Sequence, residues 1–356
     1  MKHILTLSLL TGLTVFASGC AGEIPVSQRI ARATPAVIVI ARGETTPVGT
    51  INDDAADDPA IWRNAANPSD SLIIGTDKKA GIYVYDLDGK VKSFNNAGSV
   101  NNVDLRDGVL IAGQQGVLVI ASDRNDLVNS KLTLFALDPA TAQLRALGSV
   151  AAGTGEAYGV CLYRDTTGLY AFMVLKDGTI NQVKLALDGP TPGGDIVRTM
   201  KLATQSEGCV TDETTGRLYV GEEDVGLWRF DARATGATTP IKIAAADGRN
   251  IVADAEGVAL VDDAVAGRFV IVSSQGDNAY TVYRADTDAY VGRFRIGAGS
   301  FGATEETDGI ELIVGDFGPK YPGGLFVAQD GVNAAGSQNF KLVAWNDIKA
   351  ALGLRP

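Results

Sequence analysis

The stretch Asp53-Asp54-Ala55-Ala56-Asp57-Asp58-Pro59-Ala60-Ile61-Trp62 runs from a cluster of acids directly into apolar residues. The same change recurs five more times. It appears at Asn101-Asn102-Val103-Asp104-Leu105, Glu156-Ala157-Tyr158-Gly159-Val160, Glu207-Gly208-Cys209-Val210, Glu256-Gly257-Val258-Ala259-Leu260 and Asp308-Gly309-Ile310-Glu311-Leu312. The spacing, roughly 45 to 55 residues, suits propeller blades. A short apolar run follows each start, such as Leu72-Ile73-Ile74 or Phe269-Val270-Ile271-Val272, and then another, such as Gly81-Ile82-Tyr83-Val84-Tyr85. These runs are β-branched and aromatic and are bounded by Gly, Asp and Asn, so they read as strands. The 42 Gly and 12 Pro fit many short strands joined by turns. The expected fold is therefore all-β: a six-bladed β-propeller of four-stranded antiparallel blades around a central channel. A large β-sandwich is the competing architecture, and the near-constant period favours the propeller. Residues 36–40 are expected to supply the outer strand of the last blade. A short terminal helix is expected over residues 347–352, capped by Asn346 and ended by Gly353.

Composition limits the chemistry. The only histidine is His3, so the rest of the chain offers no imidazole as base, nucleophile or metal ligand. Histidine phosphatases, Ser-His-Asp hydrolases and His-liganded zinc enzymes are excluded. Net charge is −11. That balance argues against a nucleic-acid partner, which needs Lys and Arg to displace phosphate counterions. A polyanionic small molecule would need cations brought in from solution.

Residues 1–20 read as an export signal of lipoprotein type. Lys2 is followed by an apolar run over residues 4–17, and Ala17-Ser18-Gly19-Cys20 resembles a lipoprotein box with Cys20 as acylation site. Residues 21–35 read as a tether, and residues 36–356 as the propeller domain. The expected location is the periplasm, or tethering at the outer membrane or cell exterior, with membrane contact only through the N-terminal lipid. Cys161 and Cys209 could pair in an oxidising compartment, but spacing cannot show it, and two buried free thiols are the favoured reading. A monomer is expected, because a closed propeller exposes no sheet edge.

In a propeller the first strand of each blade lines the channel and the second returns to the face where the first began. Residues opening each repeat should thus form an inner ring on one face: Asp57, Asp58, Asn101, Asn102, Asp104, Glu156, Glu207, Asp254, Glu256 and Asp308. Residues closing the second strand should form a wider ring: Asp77-Lys78-Lys79, Asp123-Arg124, Lys176-Asp177, Glu222-Glu223-Asp224, Gln275-Gly276-Asp277 and Gln329-Asp330. So many converging carboxylates repel one another unless cations lie between them. Hard divalent ions with oxygen ligands fit, and an irregular ring suits Ca²⁺ better than Mg²⁺. The interspersed Lys78, Lys79, Arg124 and Lys176 point to metal-bridged binding of an anion with several phosphates. Asp86 and Asp88 read as turn formers.

At these residues the sequence resembles the β-propeller phytases. Beyond the opening stretch, the resemblance is carried by Thr76-Asp77-Lys78-Lys79, Asn101-Asn102-Val103-Asp104, Gly216-Arg217-Leu218-Tyr219-Val220-Gly221-Glu222-Glu223-Asp224, Ser273-Ser274-Gln275-Gly276 and Phe326-Val327-Ala328-Gln329-Asp330-Gly331, in order over roughly residues 36 to 354. It implies a calcium-dependent phosphomonoesterase acting on phytate, myo-inositol hexakisphosphate, free or as its calcium complex. It implies catalytic calcium ions held by Asp57, Asp58, Glu207, Glu223, Asp254, Glu256, Gln275 and Asp308. Asn101 and the Val103 carbonyl would hold a deeper ion with Asp58. Lys78, Arg124, Tyr158 and Lys176 would grip the phosphate under attack. Joined to the residue reading, Glu207, Glu223 and Glu256 fix the metals, Lys176 and Arg124 orient phosphate oxygens, and metal-activated water attacks phosphorus. There is one departure from the family pattern. Where several Asp usually precede Asp308, this chain has Ala303-Thr304-Glu305-Glu306-Thr307, with Glu311 beyond. Glu305 or Glu306 replaces a peripheral calcium ligand there, or that site is absent. Two other readings fit the fold and the acids: a propeller lactonase or arylesterase, and a calcium-stabilised scaffold that binds polyanions without turnover.

Overall fold

The computed structural model describes residues 24–333 and 336–355. The expected leader over residues 1–20 and its Cys20 lie outside the described residues. Six sheets form six blades. Blade 1 covers residues 56–95, blade 2 residues 100–154, blade 3 residues 157–201, blade 4 residues 206–245, blade 5 residues 255–297 and blade 6 residues 310–344. Within each blade consecutive strands are antiparallel neighbours. The inner strand of each blade touches that of the next, and the inner strand of blade 6 touches that of blade 1. The ring is therefore closed.

Apolar residues collect in six clusters, one per interface between blades. The second strand of blade 2 shows the logic. Val119 packs toward blade 1 while Leu118 and Ile120 pack toward blade 3. Side chains alternate across a strand. A strand sandwiched between two neighbours therefore needs apolar residues on both faces, which produces the continuous runs in the sequence. Burying one such side chain contributes roughly 1.5–3 kcal/mol.

Closure uses both ends of the chain, in a register that differs from expectation. Gly43–Glu44 pairs with the third strand of blade 6 and supplies its outer strand. The earlier segment Val37–Ile40 instead adds a fifth, parallel strand to blade 5 along Phe294, Arg295, Ile296 and Gly297. Only Val39 of that segment is buried; it enters the cluster between blades 5 and 6. Upstream, inside the expected tether, Val26–Arg32 forms a helix. The terminal helix spans Trp345–Ala351, and Ala344, not Asn346, holds the N-cap position. Trp345 starts it early because its ring is buried and its Nε1 donates to Asp263 Oδ2 at 2.8 Å. No helix among the described residues is long and apolar enough to cross a membrane.

The two cysteines are not free thiols. Cys161 on the inner strand of blade 3 and Cys209 on that of blade 4 form a disulfide, with Cα atoms 5.9 Å apart. Their sequence separation of 48 hid the pairing, because adjacency of inner strands is set by ring geometry. The bridge ties neighbouring blades at the channel wall. Peptide mapping without reductant should recover one cross-linked peptide holding Cys161 and Cys209. Reduction should lower stability by about 2–5 kcal/mol. Two separate thiol peptides from non-reduced protein would contradict the bridge.

Candidate functional site

The inner strands do not begin as regular ladders. In five blades the register slips at the same place, between Ala56 and Pro59, Val100 and Val103, Ala157 and Gly159, Ser206 and Cys209, and Ala255 and Val258. Bulges of this kind turn side chains out of the ladder. Counted from the slip, equivalent places hold Asp57, Asn101, Tyr158, Glu207 and Glu256, and Asp308 precedes the inner strand of blade 6 in the same way. Tyr158, not Glu156, is the blade 3 member.

A second set sits just past the second strands. Lys78, Arg124, Lys176, Glu223, Gln275 and Gly331 each donate a backbone N–H to a carbonyl ahead of an inner position: Ala55, Ser99, Glu156, Gln205, Asp254 and Glu305. The two rings expected from the repeat thus form on one face, one inside the other.

Glycine sets how tightly the inner ring closes. A Cβ on Gly159 would lie 1.9 Å from the Glu207 carbonyl oxygen, and one on Gly257 2.5 Å from that of Asp308. Each glycine lets one blade press against the backbone that carries the next site residue. Gly257 N–H donates to Asp308 O at 2.8 Å and Gly309 N–H to Asp57 O at 3.0 Å.

The rings meet in a pocket of about 880 Å³. Lys78, Tyr158, Glu207, Glu223, Asp254, Glu256, Gln275 and Asp308 line it. Carboxylate oxygens of Glu207, Glu223 and Glu256 lie within 4.8 Å of one another, all buried. Beside them, buried Lys78 Nζ lies 2.7 Å from Asp308 Oδ2, 2.8 Å from Asp54 Oδ2 and 3.1 Å from Asp57 Oδ1. Gln275 Nε2 donates to Asp308 Oδ1 at 2.6 Å, and Asn101 Nδ2 to Glu207 Oε1 at 2.7 Å. Arg124 Nη1 donates to Asn101 Oδ1 at 2.7 Å, and its other arm pairs with Glu156. The Arg124 and Lys176 charges sit 5.3 and 5.1 Å from the Tyr158 ring centre, as cation–π contacts. Asp58 and Val103 lie deeper: the Val103 N–H donates to Asp58 Oδ2 at 3.0 Å, and both line a channel cavity of about 360 Å³.

Burial raises the acids. It pushes Asp57 up to about 7 and Glu223 to about 7, while Glu207, Glu256 and Asp58 go well above the carboxylate range, with neighbouring acids adding to the effect. For Lys78 desolvation lowers the pKa, but Asp57 and Asp308 outweigh it and hold the ammonium charged. Burial and the surrounding carboxylates raise the Tyr158 phenol, so its hydroxyl stays a donor. Glu223 Oε1 and Glu256 Oε2 are buried and accept no hydrogen bond, while Asp57 Oδ1 has only the Lys78 ammonium beside it. Bare, convergent, hard oxygen donors fit a divalent cation of the calcium type.

Other acids of the expected rings have structural partners. Asp277 is buried against Arg293 and Arg295, at 2.6 Å from each. Asp330 pairs with Lys341 at 2.9 Å, and Glu222 accepts from Trp228 Nε1 at 2.7 Å. Asp104 lies down the channel from the ring, paired with Arg106 at 2.9 Å. Glu311 also faces that channel cavity, away from the loop before Asp308, and burial raises it to about 8. In that loop, Glu306 lines the main pocket, while Glu305 N–H donates to Asp330 Oδ1 at 3.1 Å. Asp86 accepts from Asp88 and Lys90 N–H groups, as a turn former does. The sequence reading missed Gln338, whose Oε1 accepts from the Ala55 and Ala56 N–H groups beneath the site. It also missed the helix Val26–Arg32 at the rim, where Val26 and Arg29 line the pocket.

The model of the family described as Phytase matches residues 4–356. The 3-phytase of Bacillus subtilis (strain 168) is 38% identical over 331 residues, covering 89% of this chain and 86% of that protein. Among solved structures, BBS1N in complex with ARL6DN matches with a TM-score of 0.46 at 11% identity, over 78% of this chain and 76% of that one.

The raised carboxylates give the ring a pH signature when chelator keeps metal away. Between about pH 4, where unfolded carboxyls ionise, and about pH 7, the folded chain holds protons that the unfolded chain releases. Stability should therefore fall as pH rises through that window. Melting in chelator should occur at lower temperature at pH 8 than at pH 5.5. A melting temperature that climbs across the window would contradict the burial of unneutralised acids.

Proposed function

The chain belongs to the phytase family, and from that premise we propose that it is a calcium-dependent phosphomonoester hydrolase releasing phosphate from phytate. The observation that carries the calcium reading is the set of three buried glutamates, Glu207, Glu223 and Glu256, with two oxygens that accept no hydrogen bond. The 3-phytase activity named for the Bacillus relative is carried over as part of the same proposal.

Glu207, Glu223 and Glu256 would hold calcium at the centre, with Asp57, Asp58, Asp254, Gln275 and Asp308 completing the ligand supply around them. Asn101, the Val103 carbonyl and Asp58 would hold an ion further down. When bound, calcium supplies positive charge against phosphoryl oxygens and lowers the pKa of water, which replaces the missing histidine base. The chain's own cations do the rest. Lys78 places an ammonium among Asp54, Asp57 and Asp308, where it stays charged. Arg124 is held by Asn101 and Glu156, so its guanidinium is oriented before substrate arrives. Lys176 lies over the Tyr158 ring, and the Tyr158 hydroxyl is available to donate to a phosphate oxygen. Phosphoryl transfer needs positioning and charge more than covalent help from the protein. Export to an oxidising compartment belongs to the same reading and is supported by the Cys161–Cys209 bridge.

Phosphate release from phytate should require calcium and stop in excess chelator. Release that continues unchanged in chelator would overturn the calcium reading. No release from folded, calcium-loaded protein would favour the polyanion-binding scaffold. Glu256→Gln should fold and lose roughly a hundredfold or more in kcat, as when one electrostatic group leaves an active site. Lys78→Ala should act mainly on KM, raising it about tenfold, or ~1.4 kcal/mol. A fully active Glu256→Gln enzyme would remove that residue from the metal centre.

A further inference from the structure

The helix Val26–Arg32 precedes the propeller, yet it packs on the turn Gln275–Asp277 of blade 5, next to the pocket. Its position is fixed just downstream. Thr34 N–H donates to Arg249 O at 2.9 Å, Thr34 Oγ1 to Asn250 Oδ1 at 2.8 Å, and Arg293 Nη1 to Thr34 O at 2.7 Å. Arg293 is itself fully buried. The helix thereby brings half-buried Arg29 to the pocket wall near Asp254, whose carboxylate feels its charge.

The place matters because of the ring. Arg124 follows the second strand of blade 2, and Gln275 follows that of blade 5. In a ring of six, blades 2 and 5 are opposite. Lys78, Arg124 and Lys176 stand over blades 1 to 3, while Glu223, Gln275 and Gly331 hold the equivalent places over blades 4 to 6. The six ring positions on that half carry no cation. A ligand with phosphates on every side of a small ring would meet positive side chains on one half only, unless Arg29 is counted.

We propose that Arg29, delivered by the N-terminal helix, is a substrate-binding residue that takes a phosphate remote from the one being cleaved. This rests on the phytate reading and deepens it: the preferred ligands are polyphosphates large enough to span the pocket. Monophosphates, held on the Lys78 and Arg124 side, are indifferent to Arg29. Guanidinium–phosphate contacts are charge-assisted and paired, so Arg serves here better than Lys.

The test compares wild type, Arg29→Ala and Arg29→Lys, all full chain and calcium-loaded, with melting curves to confirm folding. Calorimetry measures binding of myo-inositol hexakisphosphate and of inorganic phosphate, and turnover is followed on phytate and on p-nitrophenyl phosphate. Arg29→Ala should weaken hexakisphosphate binding and raise its KM by about fivefold to tenfold. Its kcat, inorganic phosphate binding and p-nitrophenyl phosphate turnover should stay unchanged, and Arg29→Lys should recover part of the loss. Equal losses on both ligands would assign Arg29 to holding Asp254 and overturn the proposal, as would unchanged hexakisphosphate binding. A wild type that binds hexakisphosphate but releases no phosphate would sink the hydrolytic reading alone, leaving the binding ratio to decide on Arg29.

Discussion

Carboxylates that converge below the surface of this protein are the constraint around which the rest is arranged. Glu207, Glu223 and Glu256 bring oxygens within 4.8 Å, and Asp57 and Asp308 share one lysine beside them. Water cannot solvate such groups freely, and a single ammonium cannot neutralise five. The protein resolves the conflict by protonation or by cations from solution. Protonation leaves an inert, acid-lined pocket. Under the proposed calcium reading, cations would convert the same pocket into a positive surface that attracts phosphate, in a chain whose net charge of −11 would otherwise repel it.

Holding the acids in place takes the whole ring. Five of the six inner-ring residues sit in a bulge at the head of an inner strand, and at Gly159, Gly208, Gly257 and Gly309 one blade is pressed against the next where no side chain fits. Apolar clusters between blades keep the bulges from relaxing outward, and the disulfide fixes blades 3 and 4 two residues from Glu207. The energy of packing is thus used against electrostatic repulsion at one face, as expected where binding groups are preorganised on rigid strands.

The architecture was legible because the repeat is periodic and its apolar runs are continuous, as strands buried on both faces require. Both rings were legible for the same reason: a residue's place after a strand end fixes its place on the face. Within the rings, chemistry alone could not separate ligand from scaffold. Asp277 and Glu223 look equivalent in sequence, yet Asp277 is bound by Arg293 and Arg295 while Glu223 keeps an oxygen without a hydrogen bond. Asp104 was placed with the ring, but one turn of strand alternation carries it into the channel with Arg106. The disulfide, Gln338 and Arg29 depend on contacts across the ring or from outside it, which no local pattern encodes. Closure by Gly43–Glu44 in place of residues 36–40 is of the same kind: the outer strand is chosen by where the chain first reaches blade 6. One signal was present and unread, the Gly159, Gly208, Gly257 and Gly309 series, which marks the close approach of neighbouring blades.

The most direct test of the central claim is a crystal structure of the calcium-loaded protein with anomalous data to locate the ions. The account predicts a calcium peak bounded by Glu207, Glu223 and Glu256, with Lys78 still among Asp54, Asp57 and Asp308. A glutamate cluster that holds only water at saturating calcium would contradict it.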